Sequence, residues 1–167
     1  MNPSYLRSDE YNGGIIYNIS HGYFDGVGAQ NADISYYYGN LMMTDVPHLT
    51  EDKPNIFISL ACGNDMPMTN LSYGANFSQV LYNGPSAVVI TATTTVYPIS
   101  PRGIYLGEMT FLPLLFDQEN NYNLLQAFQA AKKDYYKGFL RNNFLDYAYA
   151  NLLSYSVYGD GIIKVTN

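Results

Sequence analysis

Asn55-Ile-Phe-Ile-Ser-Leu-Ala-Cys-Gly-Asn64 is the stretch from which the fold of this chain can be read. Pro54 precedes a run of β-branched, aromatic and aliphatic residues, and Cys62-Gly63-Asn64-Asp65 follows it as a turn, which marks a buried strand. A matching run, Gly14-Ile-Ile-Tyr-Asn-Ile-Ser20, ends directly on His21-Gly22. Cys62 and His21 thus take the same topological place, at the carboxyl end of a strand. A third apolar run, Ser86-Ala-Val-Val-Ile-Thr-Ala92, follows the turn signal Asn83-Gly84-Pro85, and a helix is expected around Ala75 to Tyr82. Strand, helix and strand in that order imply parallel pairing and an α/β fold with a mainly parallel sheet.

Outward from this centre, the text from Gly22 to Pro54 is loop-like, with Gly26, Gly28, Asn31, Gly39 and Pro47 as punctuation. So long a connection inside a compact domain is usually functional. Thr93 to Pro101 reads as a Thr/Pro-rich loop, and Ile104 to Phe116 as helical on either side of an interruption at Pro113. Leu124, Leu125, Phe128, Ala131, Tyr135 and Phe139 recur at helical spacing and predict an amphipathic helix packing on the sheet. A further helix is expected through Asn151 to Tyr155, and a closing edge strand over Ile162 to Val165.

The chain has 167 residues, 47% of them hydrophobic, enough for one sizeable core, so 1–167 is taken as a single domain. Its net charge of -6 opposes any general attraction to nucleic-acid phosphates. Charged residues make up only 13% while tyrosine contributes 18 residues, a flavour that suits a secreted or cell-surface protein. Met1 to Asn12 carry no apolar core of a signal peptide, and no uncharged apolar run reaches the roughly 18 residues of a membrane span. The expectation is either an intracellular protein or a piece of a longer precursor.

Ligands of an open parallel sheet bind outside the carboxyl ends of its strands, where His21 and Cys62 are both expected. Adjacent strands lie roughly 4.8 Å apart, so neighbouring strand ends would bring the two side chains within reach. A neutral thiol is a poor nucleophile, and an imidazole beside it favours the thiolate and later protonates the leaving amine. Gly22, Ala61 and Gly63 are small, which leaves room for a substrate backbone, and the N–H groups of Gly22 and Cys62 could form an oxyanion hole. One Cys and two His without paired spacing fall short of a zinc site, and no cofactor is implied.

Ile19-Ser-His-Gly22 followed by Ile58-Ser-Leu-Ala-Cys-Gly-Asn64 resembles the His-Gly and Ala-Cys blocks of gingipain-type cysteine peptidases of the caspase-like clan. Gly84 to Ile90 leading to Thr93–Pro98, the helix from Asn123 to Ala131, and the terminal Tyr158 to Val165 are similar as well, with Gly161 where that family usually carries proline. The resemblance implies a three-layer α/β/α caspase-like sandwich and a cysteine endopeptidase acting on protein or peptide substrates. It also implies that Gly63, Thr93 and Tyr97 line a substrate pocket. Caspase-like domains have further strands before the one ending in histidine, so the N-terminal strands look absent. The acids that support the histidine and read a basic substrate side chain in gingipains have no counterpart position here. A sheet edge left open would favour self-association or a partner segment.

Other readings stand beside this one. Cys62 could be an inert core thiol in a non-catalytic scaffold or interaction domain, or the chain could be an intracellular caspase-like signalling protease with one dedicated substrate. Asp25, Asp33 and Asp45 match no compact calcium loop and read as solvated, as does His48 beside Pro47. Thr93 and Tyr97 could equally be loop anchors.

Overall fold

The computed structural model describes residues 14–18, 21–23, 26–30, 37–43, 46–48, 54–59, 61–63, 65, 75–94, 106, 111–117, 119–140 and 145–165. In chain order the elements are β1 (Ile15–Asn18), β2 (His21–Tyr23), β3 (Gly26–Gln30), β4 (Tyr37–Met42), a short 3-10 turn (Val46–His48), β5 (Asn55–Ser59), α1 (Phe77–Tyr82), β6 (Ser86–Ala92), α2 (Leu112–Leu115), α3 (Leu124–Leu140), α4 (Leu145–Leu153) and β7 (Tyr155–Gly159). They fall into two compact units, Met1–Thr95 with Tyr155–Gly159, and Val96–Ser154 with Asp160–Asn167.

The first unit is built on a four-stranded open sheet in the order β1-β5-β6-β7. β1 runs parallel to β5 and β5 parallel to β6, while β7 returns antiparallel along β6. Strands covered on both faces need continuous apolar runs rather than alternation. β6 shows this, with every residue from Val88 to Ala92 buried. The helix between β5 and β6 is shorter than its sequence suggests, because Asn76 stops it: the Asn76 side chain accepts from the Gln79 backbone N–H at 2.9 Å while Gln79 Oε1 accepts from the Asn76 N–H at 3.1 Å. This capping box fixes where α1 starts. Phe77 then meets Phe57 of β5 edge to face, with ring centroids 5.9 Å apart, and the Ser78 hydroxyl bonds to that of Thr91 at 2.6 Å.

Part of the segment expected as a loop is instead a second sheet. β2, β3 and β4 pair antiparallel, with a bulge between Val27 and Ala29. Its glycines are strand residues: Gly28 stands opposite His21, and Gly26 opposite both Tyr23 and Met42. Glycines facing large neighbours break the alternation that identifies a strand from sequence, so backbone pairing here has no apolar signature. Leu41 and Met43 join Val46, Phe57, Ala61, Phe77, Leu81 and Val89 in one buried cluster.

The strand leading to the histidine also differs from expectation. β1 ends at Asn18, and His21 opens β2 rather than closing β1.

In the second unit α3 begins with its own reciprocal cap, Asn123 Oδ1 accepting from the Gln126 N–H at 2.8 Å and Gln126 Oε1 from the Asn123 N–H at 3.0 Å. Its buried face is Leu124, Ala127, Phe128, Ala131 and Tyr135, whereas Leu125 remains 40% exposed. Phe111 packs on Phe128 at 5.1 Å, and the Tyr135 hydroxyl accepts from Asn151 Nδ2 of α4 at 2.7 Å. Pro113 sits in the first turn of α2, where its missing N–H costs nothing, and is no interruption.

Two C-terminal expectations are corrected. The last helix spans Leu145–Leu153, and Tyr155 already belongs to β7. Residues Ile162 to Val165 form no edge strand: the Gly161 and Ile163 carbonyls accept from the N–H groups of Leu125 and Leu124, both at 2.9 Å, and Lys164 makes a lone bridge to Asn123. The segment satisfies donors that the start of a helix leaves open, a task backbone groups can perform with any side chains. No helix among the described residues is long and apolar enough to cross a membrane.

Phe57 is fully buried at the junction of β5 and α1. Phe57→Ala should lower the urea-unfolding free energy by about 3–5 kcal/mol, whereas Leu153→Ala, at a position 81% exposed, should change it by less than about 0.5 kcal/mol.

Candidate functional site

Parallel register aligns the last residues of β1 and β5, Asn18 opposite Ser59. The Asn18 amide donates to Ser59 Oγ at 3.1 Å, and the Ala61 N–H donates to the same oxygen at 3.3 Å. One buried hydroxyl thereby ties the end of β1 to the chain leaving β5. His21 follows Asn18 by three residues and Cys62 follows Ser59 by three. The two chains leave the sheet side by side.

What happens next is recorded by Gly22. A Cβ placed on this glycine would lie 2.1 Å from the Cys62 carbonyl oxygen, 2.7 Å from the Cys62 nitrogen and 2.7 Å from the Ala61 Cβ. Real Cβ atoms do not approach backbone so closely, so residue 22 must be glycine for the chain to lie against the Ala61–Cys62 peptide. The backbone of His21 is the adjoining residue of that contact.

The turn bearing Cys62 is held from its other side by the end of β6. The Gly63 N–H donates to the Thr94 carbonyl, and the Asp65 N–H to the Ala92 carbonyl, both at 3.0 Å. Gly63 has φ +64, a left-handed conformation that a glycine adopts without penalty. Cys62 itself is half-buried, with Ala61 and Gly63 buried on either side.

Of the other residues singled out from sequence, Thr93 is half-buried just past β6, beside the Thr94 carbonyl that anchors Gly63. Tyr97, Asp25, Asp33 and Asp45 lie outside the described residues, as do the imidazoles of His21 and His48. The backbone thus brings the His21-Gly22, Ala61-Cys62-Gly63 and Thr93-Thr94 segments together.

One group at this site was missed from sequence. The Asp65 carboxylate is buried, 8% exposed. Its Oδ1 accepts from Asn76 Nδ2 at 2.8 Å and from the Tyr158 hydroxyl of β7. Burial first, and then the bond to the Asp65 carboxylate, push the Tyr158 phenol up to about 12, so it remains a proton donor at neutral pH. Asn76 has a double task, since its Oδ1 caps α1 while its Nδ2 serves Asp65. From sequence Asp65 is only the end of the turn that follows the strand. Only the return of β7 reveals its partner.

Gly22→Ala should push β2 away from the Cys62 turn and destabilise the protein by about 1–3 kcal/mol, the usual cost of overpacking. Chemical denaturation measures this.

No protein-family model matches the chain, and no curated protein does. Solved structures do. The chain is similar to the Arg-specific cysteine proteinase gingipain R, with a TM-score of 0.71 and 17% identity over 98% of this chain and 36% of that one. It is similar also to a structure described as a protease, with a TM-score of 0.65 and 16% identity over 98% of this chain and 38% of that one. The chain therefore spans well under half the length of either. With its open, mostly parallel four-stranded sheet, it shares its fold with gingipain R, the caspase-like architecture expected from the His21-Gly22 and Ala61-Cys62 blocks.

Proposed function

We propose that this chain is the catalytic part of a cysteine endopeptidase in which Cys62 attacks the scissile carbonyl and His21 moves the proton. The observation that carries the reading is the forced glycine contact: Gly22 lies against the Ala61–Cys62 peptide, so the residue before it is held beside the residue bearing the thiol. Register supports it further, because Asn18 and Ser59 align the two strand ends upstream.

In this mechanism the His21 imidazole takes the Cys62 proton, and the thiolate adds to the substrate carbonyl. The oxyanion that forms lies near the N–H groups of Gly22 and Cys62. His21 then gives its proton to the departing amine, and water hydrolyses the acyl-enzyme. Gly63, Thr93 and Tyr97 are proposed to line the substrate groove, with a protein or peptide as substrate and no cofactor in the chemistry. We take 1–167 as one peptidase domain of a longer secreted or cell-surface precursor. Gingipain R is Arg-specific by description, and a basic residue at the cleaved bond is the corresponding proposal here.

A second reading, a caspase-like scaffold that binds without cleaving, is favoured by one observation. β1, which leads to His21, is the edge strand of its sheet among the described residues. An edge strand offers backbone groups to a further segment or a second copy, and a dyad beside it could depend on that addition.

Iodoacetamide alkylation of Cys62 from pH 4 to 9 separates the readings, since the chain has a single cysteine. The peptidase reading expects fast alkylation below pH 7 and a loss of tenfold or more at about pH 6.5 in His21→Ala, as the thiolate loses its cationic neighbour. Reaction only near the ordinary thiol range, about pH 8.5, with the variant indistinguishable from the parent, supports the scaffold.

A further inference from the structure

Asp65 is a buried carboxylate that the proposed chemistry does not use. A charge is taken out of water only where partners compensate it, and here both are hydrogen-bond donors from distant elements, Asn76 at the start of α1 and Tyr158 in β7. Its own N–H is spent on the Ala92 carbonyl at the end of β6. Asp65 is therefore fastened to three elements at once, by main chain to β6 and by side chain to α1 and β7. It is also the last residue of the turn that begins at Ala61.

The opposite end of that turn is pressed by Gly22. Cys62 is thus bracketed between a contact that pushes on its peptide and an anchor three residues later. In a turn whose middle carries a glycine at positive φ, the end points decide where the peptide lies. The capping box adds a consequence: Asn76 is itself held by Gln79, so the anchor rests on a residue already fixed by the helix it starts.

We propose that Asp65 is a positioning residue for Cys62, its buried carboxylate pinning the nucleophile's turn to Asn76 and Tyr158 so that the thiol stays beside the His21 segment. This rests on the reading of Cys62 as a nucleophile. The Tyr158 phenol, held up at about 12 by burial and by this carboxylate, supplies the anchor with a proton at any pH at which the enzyme would work.

Through-space electrostatics and positioning have opposite signs, which makes the proposal separable. Removing a negative charge near a thiol favours the thiolate and moves its alkylation profile to lower pH, whereas loosening the turn separates thiol from imidazole and moves the profile to higher pH. Asp65→Asn removes the charge but keeps an acceptor oxygen for both donors. Asp65→Ala removes both, and Tyr158→Phe removes one donor.

The test is the rate and pH profile of Cys62 alkylation by iodoacetamide in the parent, His21→Ala, Asp65→Ala, Asp65→Asn and Tyr158→Phe, with near-ultraviolet circular dichroism to establish folding. The expected result is a tenfold or greater loss at pH 6.5 and a profile moved to higher pH in Asp65→Ala. Tyr158→Phe should lose about threefold or more in the same direction, and Asp65→Asn should stay within about threefold of the parent. If Asp65→Ala does not fold, Tyr158→Phe and Asp65→Asn decide alone.

A fast parent, a slow His21→Ala, and Asp65→Ala and Tyr158→Phe variants that match the parent or move to lower pH would overturn the positioning role while leaving the dyad intact. A parent indistinguishable from His21→Ala overturns the dyad and this proposal together.

Discussion

Gly22 lies so close to the Ala61–Cys62 peptide that any side chain beyond hydrogen would overlap the Cys62 carbonyl, and the arrangement of the candidate site depends on that approach. It couples two sheets of different kinds. Cys62 leaves the four-stranded sheet at the end of β5, while His21 and Gly22 begin the small antiparallel sheet. The hydroxyl of Ser59 sets the approach up by binding both Asn18 and the Ala61 N–H, so the chains diverge from a common point. The bonds from Gly63 and Asp65 to the end of β6 then stop the cysteine turn from retreating. A backbone contact of this kind fixes position without using the chemistry of either side chain.

The centre of the fold was legible because buried parallel strands have a loud signature. Ser86 to Ala92 is a strand from its first residue to its last, and Asn55 begins β5 as its apolar run suggested. The long helix was readable from its period, although the exact face was not: Leu125 was expected inside and Ala127 is the residue buried there. What failed was structure made by backbone rather than side chains. β3 and β4 contain Gly26, Gly28 and Gly39, which read as turns, because the hydrogen bonds that define an antiparallel sheet leave no trace in composition. The terminal Gly161 to Lys164 segment misled for the converse reason, its apolar pair suggesting a strand while its carbonyls were needed at the start of α3.

At the site itself the sequence named the two blocks but not what supports them. Cys62 and His21 were suggested by their place after apolar runs, and the structure sets their backbones close together through a glycine that sequence valued only for its small size. Asp65 and Tyr158 are more than ninety residues apart, and nothing local to either marks it as a partner of the other. Contacts between a turn and a strand that returns at the end of the chain are the part of a fold that pattern reading cannot supply, since they depend on strand order. The same strand order, β1-β5-β6-β7 with the last antiparallel, is what lets a C-terminal tyrosine sit beneath a turn near the middle of the sequence.

The proposed dyad requires the His21 imidazole and the Cys62 thiol to be neighbours. The chain has two histidines, so their ring resonances can be followed through a pH titration by nuclear magnetic resonance and assigned with a His48→Ala variant. A thiolate beside an imidazolium stabilises it, so in a working dyad Cys62→Ser should lower the His21 midpoint by about one unit or more and leave that of His48 where it was. A His21 midpoint that is the same with cysteine and with serine at position 62 would show that the two side chains do not meet, and would rule the dyad out.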